Sequence, residues 1–286
     1  MNTHRATLIG FSAILLWSLL ALLTIFASPV PPLQLNAMTF GIGAVVGLIW
    51  TYWRGFGVLR GVPWRVYALG TAGLFGYHFL YFTAFRLGPD ASTGLIAYLW
   101  PLLIVLMSGL LPAARLTARP VVGAALGLIG AALIVLQAPS TGAPLAALAL
   151  AFLCALVWSG YSVASAYMRE VPTEAVTIYC AATAILSALA HLGFEQTQWP
   201  TGAPGWASVV ALGLGPVGIA FFTWDIGMKR GDIQFLGAAS YAAPLLSTLA
   251  LVAAGISTAA PALAIAALLT PAGAALAASA AKPSGR

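Results

Sequence analysis

Trp17 and Trp158 each stand in the middle of a long apolar run, and each is followed by a serine, Ser18 and Ser159. An indole at such a depth offers a broad stacking face and one N–H donor where headgroups cannot reach it. Tyr81, Tyr98, Trp100, Trp224 and Tyr241 occupy comparable positions, and these seven rings are candidates to line a cavity for a substrate with a bulky apolar side chain. The alternative is the interfacial belt that such residues commonly form, which is the reading for Trp50, Tyr52, Trp53, Trp64, Tyr67, Trp199 and Trp206 near the loops. His78 has Tyr81, Phe82 and Phe85 at i+3, i+4 and i+7, which gives one helix an aromatic stripe with a polar head. It either faces a cavity or is a neutral core histidine bonded to a carbonyl.

Two prolines supply a backbone element to the same chemistry. Pro101 and Pro244 cannot donate to the carbonyls four residues earlier, so Ala97 and Ser240 are expected to hold free acceptors for an α-ammonium group, unless each proline is only a structural kink. Asp225 precedes Lys229 by one helical turn and is read as an i,i+4 ion pair at the interface, with a proton-coupling carboxylate as the alternative. Asp225 and His78 are the candidate coupling groups. His191 and Glu195 close an apolar run and are expected to be solvated.

What is missing narrows the chemistry further. No Lys or Arg falls mid-run, which disfavours phosphorylated substrates. The first run has no acidic residue, so the buried carboxylate that trades protons for lipophilic cations is absent. No paired acids, metal ligands or nucleophile with a base are present, which argues against a membrane-embedded enzyme and leaves no catalytic or metal-ligating candidates and no expected cofactor. A retinal receptor would need a mid-run lysine. Cys154 and Cys180 both lie inside apolar stretches, where neither a disulfide framework nor a zinc site is expected.

These residues must be positioned by a membrane protein. The 286-residue chain is 61% hydrophobic and 6% charged, against the usual quarter or so charged. A spanning helix needs about 20 apolar residues. Runs of that length occur at Thr7 to Phe26, Leu35 to Tyr52, Val66 to Phe85, Gly94 to Leu111, Pro120 to Leu136, Leu145 to Tyr167, Ala175 to Phe194, Trp206 to Met228, Phe235 to Ala254 and Pro261 to Ala280. Ten spans are therefore expected, with no room for a sizeable soluble domain. The first run, with no small-residue cleavage pattern behind it, is expected to be a retained helix. Breaks fall at Ser28 to Pro32, Leu87 to Asp90, Ala138 to Gly142 and Glu195 to Gly205.

The basic residues orient these spans. Arg5, Arg54, Arg60, Arg65, Arg115, Arg119, Arg169, Lys229, Arg230, Lys282 and Arg286 fall on one side and only Arg86 on the other, so both termini are expected in the cytoplasm. The net charge of +6 thus reflects topology, with no nucleic-acid partner expected. The halves also resemble each other. Leu16-Trp17-Ser18 matches Val157-Trp158-Ser159, Arg86-Leu87-Gly88 matches Lys229-Arg230-Gly231, and Tyr98-Leu99-Trp100-Pro101-Leu102-Leu103 matches Tyr241-Ala242-Ala243-Pro244-Leu245-Leu246, all at nearly one spacing. Five spans per half, an odd number, make the second copy upside down, with units expected at 1–143 and 144–286. Exchange of conformations between such halves is the usual basis of alternating access.

Ten spans in a five-plus-five inverted repeat, short loops, a Trp-Ser pair opening each half and a Tyr-x-x-Pro in each fourth helix resemble the drug/metabolite transporter superfamily, in its EamA-type branch. The resemblance covers essentially the whole chain. Within that branch the aromatic content is most similar to bacterial inner-membrane exporters of aromatic amino acids. It implies an all-α secondary transporter that exports aromatic or hydrophobic amino acids, with another neutral metabolite or drug as the alternative cargo. The expected partners are the bilayer and a neutral zwitterionic amino acid, and the chain is expected to act as a monomer. The implied substrate-binding set is Trp17, His78, Tyr81, Tyr98, Trp100, Trp158, Ser159, Trp224 and Tyr241, with helix breaks at Pro101 and Pro244.

Overall fold

The computed structural model describes residues 1–112, 116–137, 142–258 and 260–280. Arg115, most of the expected break from Ala138 to Gly142, Lys282 and Arg286 lie outside the described residues. The chain folds as long helical segments: α1 (Thr3–Phe26), α2 (Pro32–Arg54), α3 (Trp64–Leu87), α4 (Ala91–Ser108), α5 (Ala118–Val135), α6 (Leu145–Tyr167), α7 (Ala175–Phe194), α8 (Gly202–Arg230), α9 (Ile233–Ala253) and α10 (Pro261–Ala278). Among the described residues there is no strand. All of these segments except α3, nine in number among the described residues, are long and apolar enough to cross a bilayer. At 24 residues α3 also has the length, about 36 Å at 1.5 Å per residue. It is less apolar because it carries Tyr77, His78, Tyr81 and Thr83 on top of Arg65 and Arg86.

Helix starts follow from local chemistry. Prolines, whose missing N–H costs nothing in a first turn, open α2 and α10. The side chains of Asp90 and Asp232 cap α4 and α9 by accepting from the Ser92 and Phe235 amides. Both of those helices break midway, at Tyr98–Leu99 and at Ser240–Tyr241, just ahead of Trp100-Pro101 and Ala243-Pro244. The prolines do interrupt the helices. The expectation of a free carbonyl at Ser240 is corrected, however: the tightened turn brings the Ala243 amide to it at 3.0 Å.

The helices pack in pairs, α1 with α8, α2 with α7, α3 with α6 and α5 with α10, around crossing α4 and α9. Glycines allow the closest approaches: a Cβ added at Gly123 of α5 would lie 2.4 Å from the Gly273 carbonyl oxygen of α10. Polar bonds tie α2 to α7 along their length, from Asn36 Nδ2 donating to Ser187 Oγ at 2.7 Å to Arg54 Nε donating to Glu174 at 3.2 Å.

His191 and Glu195 belong to this seam, which corrects the expectation that they are solvated. Their side chains are 8% and 6% exposed. The first amides of α2 have no intrahelical acceptor, and Pro31 at its N-cap brings no side-chain bond. Glu195 fills the gap from α7, accepting from Leu33 N at 3.0 Å and Gln34 N at 3.1 Å, while His191 Nδ1 holds it at 2.9 Å. Glu195→Ala is expected to cost about 1–2 kcal/mol, as for loss of a good N-cap. Thermal unfolding in detergent checks this; an unchanged midpoint would show that water caps α2 equally well.

Candidate functional site

A cavity of about 550 Å³ enters the bundle where α1 ends and α2 begins, passing Ile25, Val30 and Pro32 at its mouth. This size is typical of small-molecule sites. Among the described residues, no Lys, Arg, Asp or Glu lines it.

Its floor is built from aromatic rings of α1, α4, α6 and α8. Trp17 is the hub, with ring centroids 5.0 Å from Trp224, 5.8 Å from Trp158, 6.0 Å from Phe221 and 6.2 Å from Trp100. Trp17 Nε1 donates to the Pro216 carbonyl at 2.9 Å. That carbonyl belongs to a π-helical turn, Gly215–Ile219, where α8 widens and the Ala220 amide reaches back to Gly215. Trp17 therefore spends its donor on the protein and offers a ligand only its ring. Trp158, in contrast, lines the cavity with no hydrogen bond from its indole to any described residue.

The wall is α3. Tyr77 and Tyr81 stack at 5.9 Å, and His78 packs edge-on to Phe40 at 5.1 Å. His78 Nδ1 lies 2.7 Å from the Leu74 carbonyl, an acceptor only, so Nδ1 carries the proton and Nε2 keeps a lone pair. Both sequence readings of His78 thus apply at once, since it is carbonyl-bonded and lines the cavity. Across from it, Asn36 gives its N–H to Ser187 and retains its carbonyl oxygen as an acceptor.

Of the expected site residues, Trp17, His78, Tyr81, Tyr98, Trp100 and Trp158 meet at this cavity. Three do not. Ser159 is fully buried and donates to the Trp100 and Ala155 carbonyls at 2.9 and 2.7 Å, which fixes α6 to the break in α4. Trp224 lies beneath the floor, 1% exposed, donating to Ser162 Oγ at 3.1 Å. Tyr241 is buried against Gly127 of α5, and its hydroxyl accepts from the Leu102 amide, orphaned by the α4 break, at 3.2 Å. Pro101 and Pro244 are themselves buried and leave the lining to Ala97, Tyr98, Trp100 and Ala243. The Asp225–Lys229 pair forms at 2.8 Å, with both side chains 1–2% exposed inside the bundle. Tyr77, Asn36, Thr39 and Phe221 were not anticipated as lining residues. A signal existed for two of them: Asn36 interrupts an apolar run, and Tyr77 stands one turn before Tyr81.

An uncharged, aromatic cavity with isolated neutral acceptors suits a molecule with one large apolar part and a small polar end. Residues 4–136 match the model of the EamA-like transporter family. The chain is 55% identical over 288 residues to the aromatic amino acid exporter YddG of Ancylobacter novellus, covering 97% of this chain and 98% of that protein. It is 26% identical to the aromatic amino acid exporter YddG of Escherichia coli K12, over 87% of this chain and 88% of that one. A solved crystal structure superposes with a TM-score of 0.93 at 54% identity, covering 98% of this chain and 99% of the other.

Proposed function

Because the chain belongs to the EamA-like transporter family, we propose that it exports aromatic and other large apolar amino acids from the cytoplasm by alternating access. It is a multi-pass membrane protein. The observation that carries the substrate reading is the uncharged cavity floored by Trp17, Trp100 and Trp158, with His78 Nε2 and Asn36 Oδ1 as acceptors for an α-ammonium group. Names of relatives over nearly the whole chain support export of this class.

The mechanism rests on ten spans, α3 included, in two inverted units, 1–143 and 144–286. Several features support it. Asp90 and Asp232 cap helices that both break before a proline, and each close helix pair is its own image or the image of another under exchange of the halves. The basic residues orient the mouth outward, with both termini in the cytoplasm of a bacterial inner membrane. The present form is then outward-open, its inner end closed by Trp224 against Ser162. Transport is expected to run down the substrate gradient, or to couple weakly to protons.

Liposomes loaded with phenylalanine should exchange it for external phenylalanine, tyrosine and tryptophan, and a pH gradient should concentrate little. Exchange of a sugar phosphate or a lipophilic cation, with none of aromatic amino acids, would overturn the reading. For orientation, a cysteine at Thr201 should react in whole cells with an impermeant maleimide and one at Gly57 should not. Labelling of both from outside would remove the inverted arrangement.

A further inference from the structure

At the end of the bundle away from the mouth, an ion pair is buried with only one of its carboxylate oxygens in use. Asp225 of α8 is 2% exposed, and both of its bonds go to one oxygen: Oδ2 accepts from Lys229 Nζ at 2.8 Å and from Thr173 Oγ1 at 2.7 Å. No described residue donates to Oδ1. Nearby, the Tyr179 hydroxyl is buried with no hydrogen-bond partner among the described residues. Unsatisfied groups at such depth are uncommon and each has a physical reason.

The repeat supplies one. Val30-Pro31 matches Val171-Pro172 at the spacing that carries Trp17 onto Trp158. That spacing places Ala21 on Ser162 and Thr24 on Ser165, and the spacing that carries Arg86 onto Lys229 places Phe82 on Asp225. Ala21, Thr24 and Phe82 all line the open cavity. Their counterparts are buried where α6 packs against α8: Ser162 accepts from Trp224, and Ser165 donates to the Tyr161 carbonyl at 2.9 Å. Exchange of the two conformations would part α6 from α8 and line a second cavity with these residues. That cavity would differ in kind, having hydroxyls and an ion pair where the outer one has Ala21 and Phe82.

We propose that the Asp225–Lys229 pair, uncovered when α6 leaves α8, is an inward-facing docking site for a zwitterion, taking the α-ammonium group on Asp225 Oδ1 and the carboxylate on Lys229. This rests on the alternating-access reading. The two side chains share one helix at i and i+4, so they stay paired as the end opens. Lys229 Nζ loses only the Val171 carbonyl, now at 2.9 Å, and thereby gains an N–H for the substrate. The incoming molecule is itself an ion pair and meets one of opposite polarity, so no net charge enters the membrane. The outer cavity has no such pair, so both contacts are released when the substrate crosses.

Inner-face and outer-face KM measured separately in oriented proteoliposomes tests this, with phenylalanine, 3-phenylpropionate (no ammonium) and phenethylamine (no carboxylate) as probes. At the inner face the wild type should prefer phenylalanine at least tenfold over either half-molecule. The D225N/K229Q double variant neutralises the pair without stranding a charge. Its inner-face KM for phenylalanine should rise at least tenfold, while its outer-face KM stays within twofold. An equal rise at both faces, or no rise, overturns the docking site and leaves alternating access standing. Absence of exchange by the wild type at either face overturns both. Should the double variant fail to accumulate, Ser165→Cys in a chain with Cys154→Ala and Cys180→Ala keeps the pair. Labelling from the inner side should then be blocked by phenylalanine and not by 3-phenylpropionate, and equal blocking or no labelling overturns the proposal.

Discussion

Replacing Trp17 by alanine is expected to abolish phenylalanine exchange, whereas Trp17→Phe keeps a measurable fraction of it. The indole touches Trp100, Trp158, Phe221 and Trp224, so truncation removes the hub of the cavity floor. Each aromatic contact contributes about 0.5–1.5 kcal/mol beyond area, and a large buried ring cut to alanine costs roughly 3–5 kcal/mol. That corresponds to a hundredfold or more in an equilibrium. Phenylalanine restores a ring but not the donor to the Pro216 carbonyl, so it isolates the contribution of tethering Trp17 to the π turn. The measurement is exchange of phenylalanine and of alanine in liposomes, with the thermal midpoint as a control. A Trp17→Ala protein of normal stability that transports both at the wild-type ratio would show that this ring does not contact the substrate.

Much of this floor was legible beforehand because a membrane chain restricts what can be polar at depth. Few residue types survive that filter, and six of the nine expected binding residues meet at one cavity. Of the three that do not, Trp224 and Tyr241 share a physical cause, while Ser159, like its counterpart Ser18, is buried with its hydroxyl on a carbonyl of its own helix. A repeat-derived set pools the residues of both halves, whereas under the proposed alternating access only one half is open in any one conformation. Trp224 is the counterpart of Tyr81, and Tyr241 of Tyr98; the first-half members line the cavity while the second-half members are packed away. The burial of Glu195 is invisible in the sequence for a different reason. Its partners are the Leu33 and Gln34 amides, more than 150 residues earlier, and local periodicity carries no trace of such a bond.

Contacts that differ between the halves locate the moving parts, and those that match locate the rigid ones. On one side α6 packs on both α4 and α8, while its counterpart α1 touches α9 only lightly. In the proposed orientation the outer opening lies along α1, and the inner closure along α6. The pairs α1 with α8 and α3 with α6 are images of one another and are both tightly packed. A pair closed in both halves has no opening to make when the halves exchange conformations, so each should travel as a unit.

The α1–α8 unit can be tested at its crossing point. A Cβ added at Gly227 would lie 2.6 Å from Gly10 Cα, and one added at Gly10 would lie 2.8 Å from Gly227 Cα. The obstacle in each case is backbone, which cannot rotate away. The images of these two glycines, Ala84 and Ala151, are both fully buried in one cluster, so that crossing is closed as well. Gly227→Val is therefore expected to cost about 3 kcal/mol, the upper end for overpacking, and to lower the thermal midpoint by roughly 5–10 °C. Transport should fall equally from either face, since a wedge inside a rigid unit favours neither conformation. Gly41 is the control, because nothing lies within 4 Å of a Cβ added there, and Gly41→Val should unfold within a degree or two of wild type. A Gly227→Val protein that stays stable yet becomes selectively accessible from the inner side would show that α1 and α8 separate during transport.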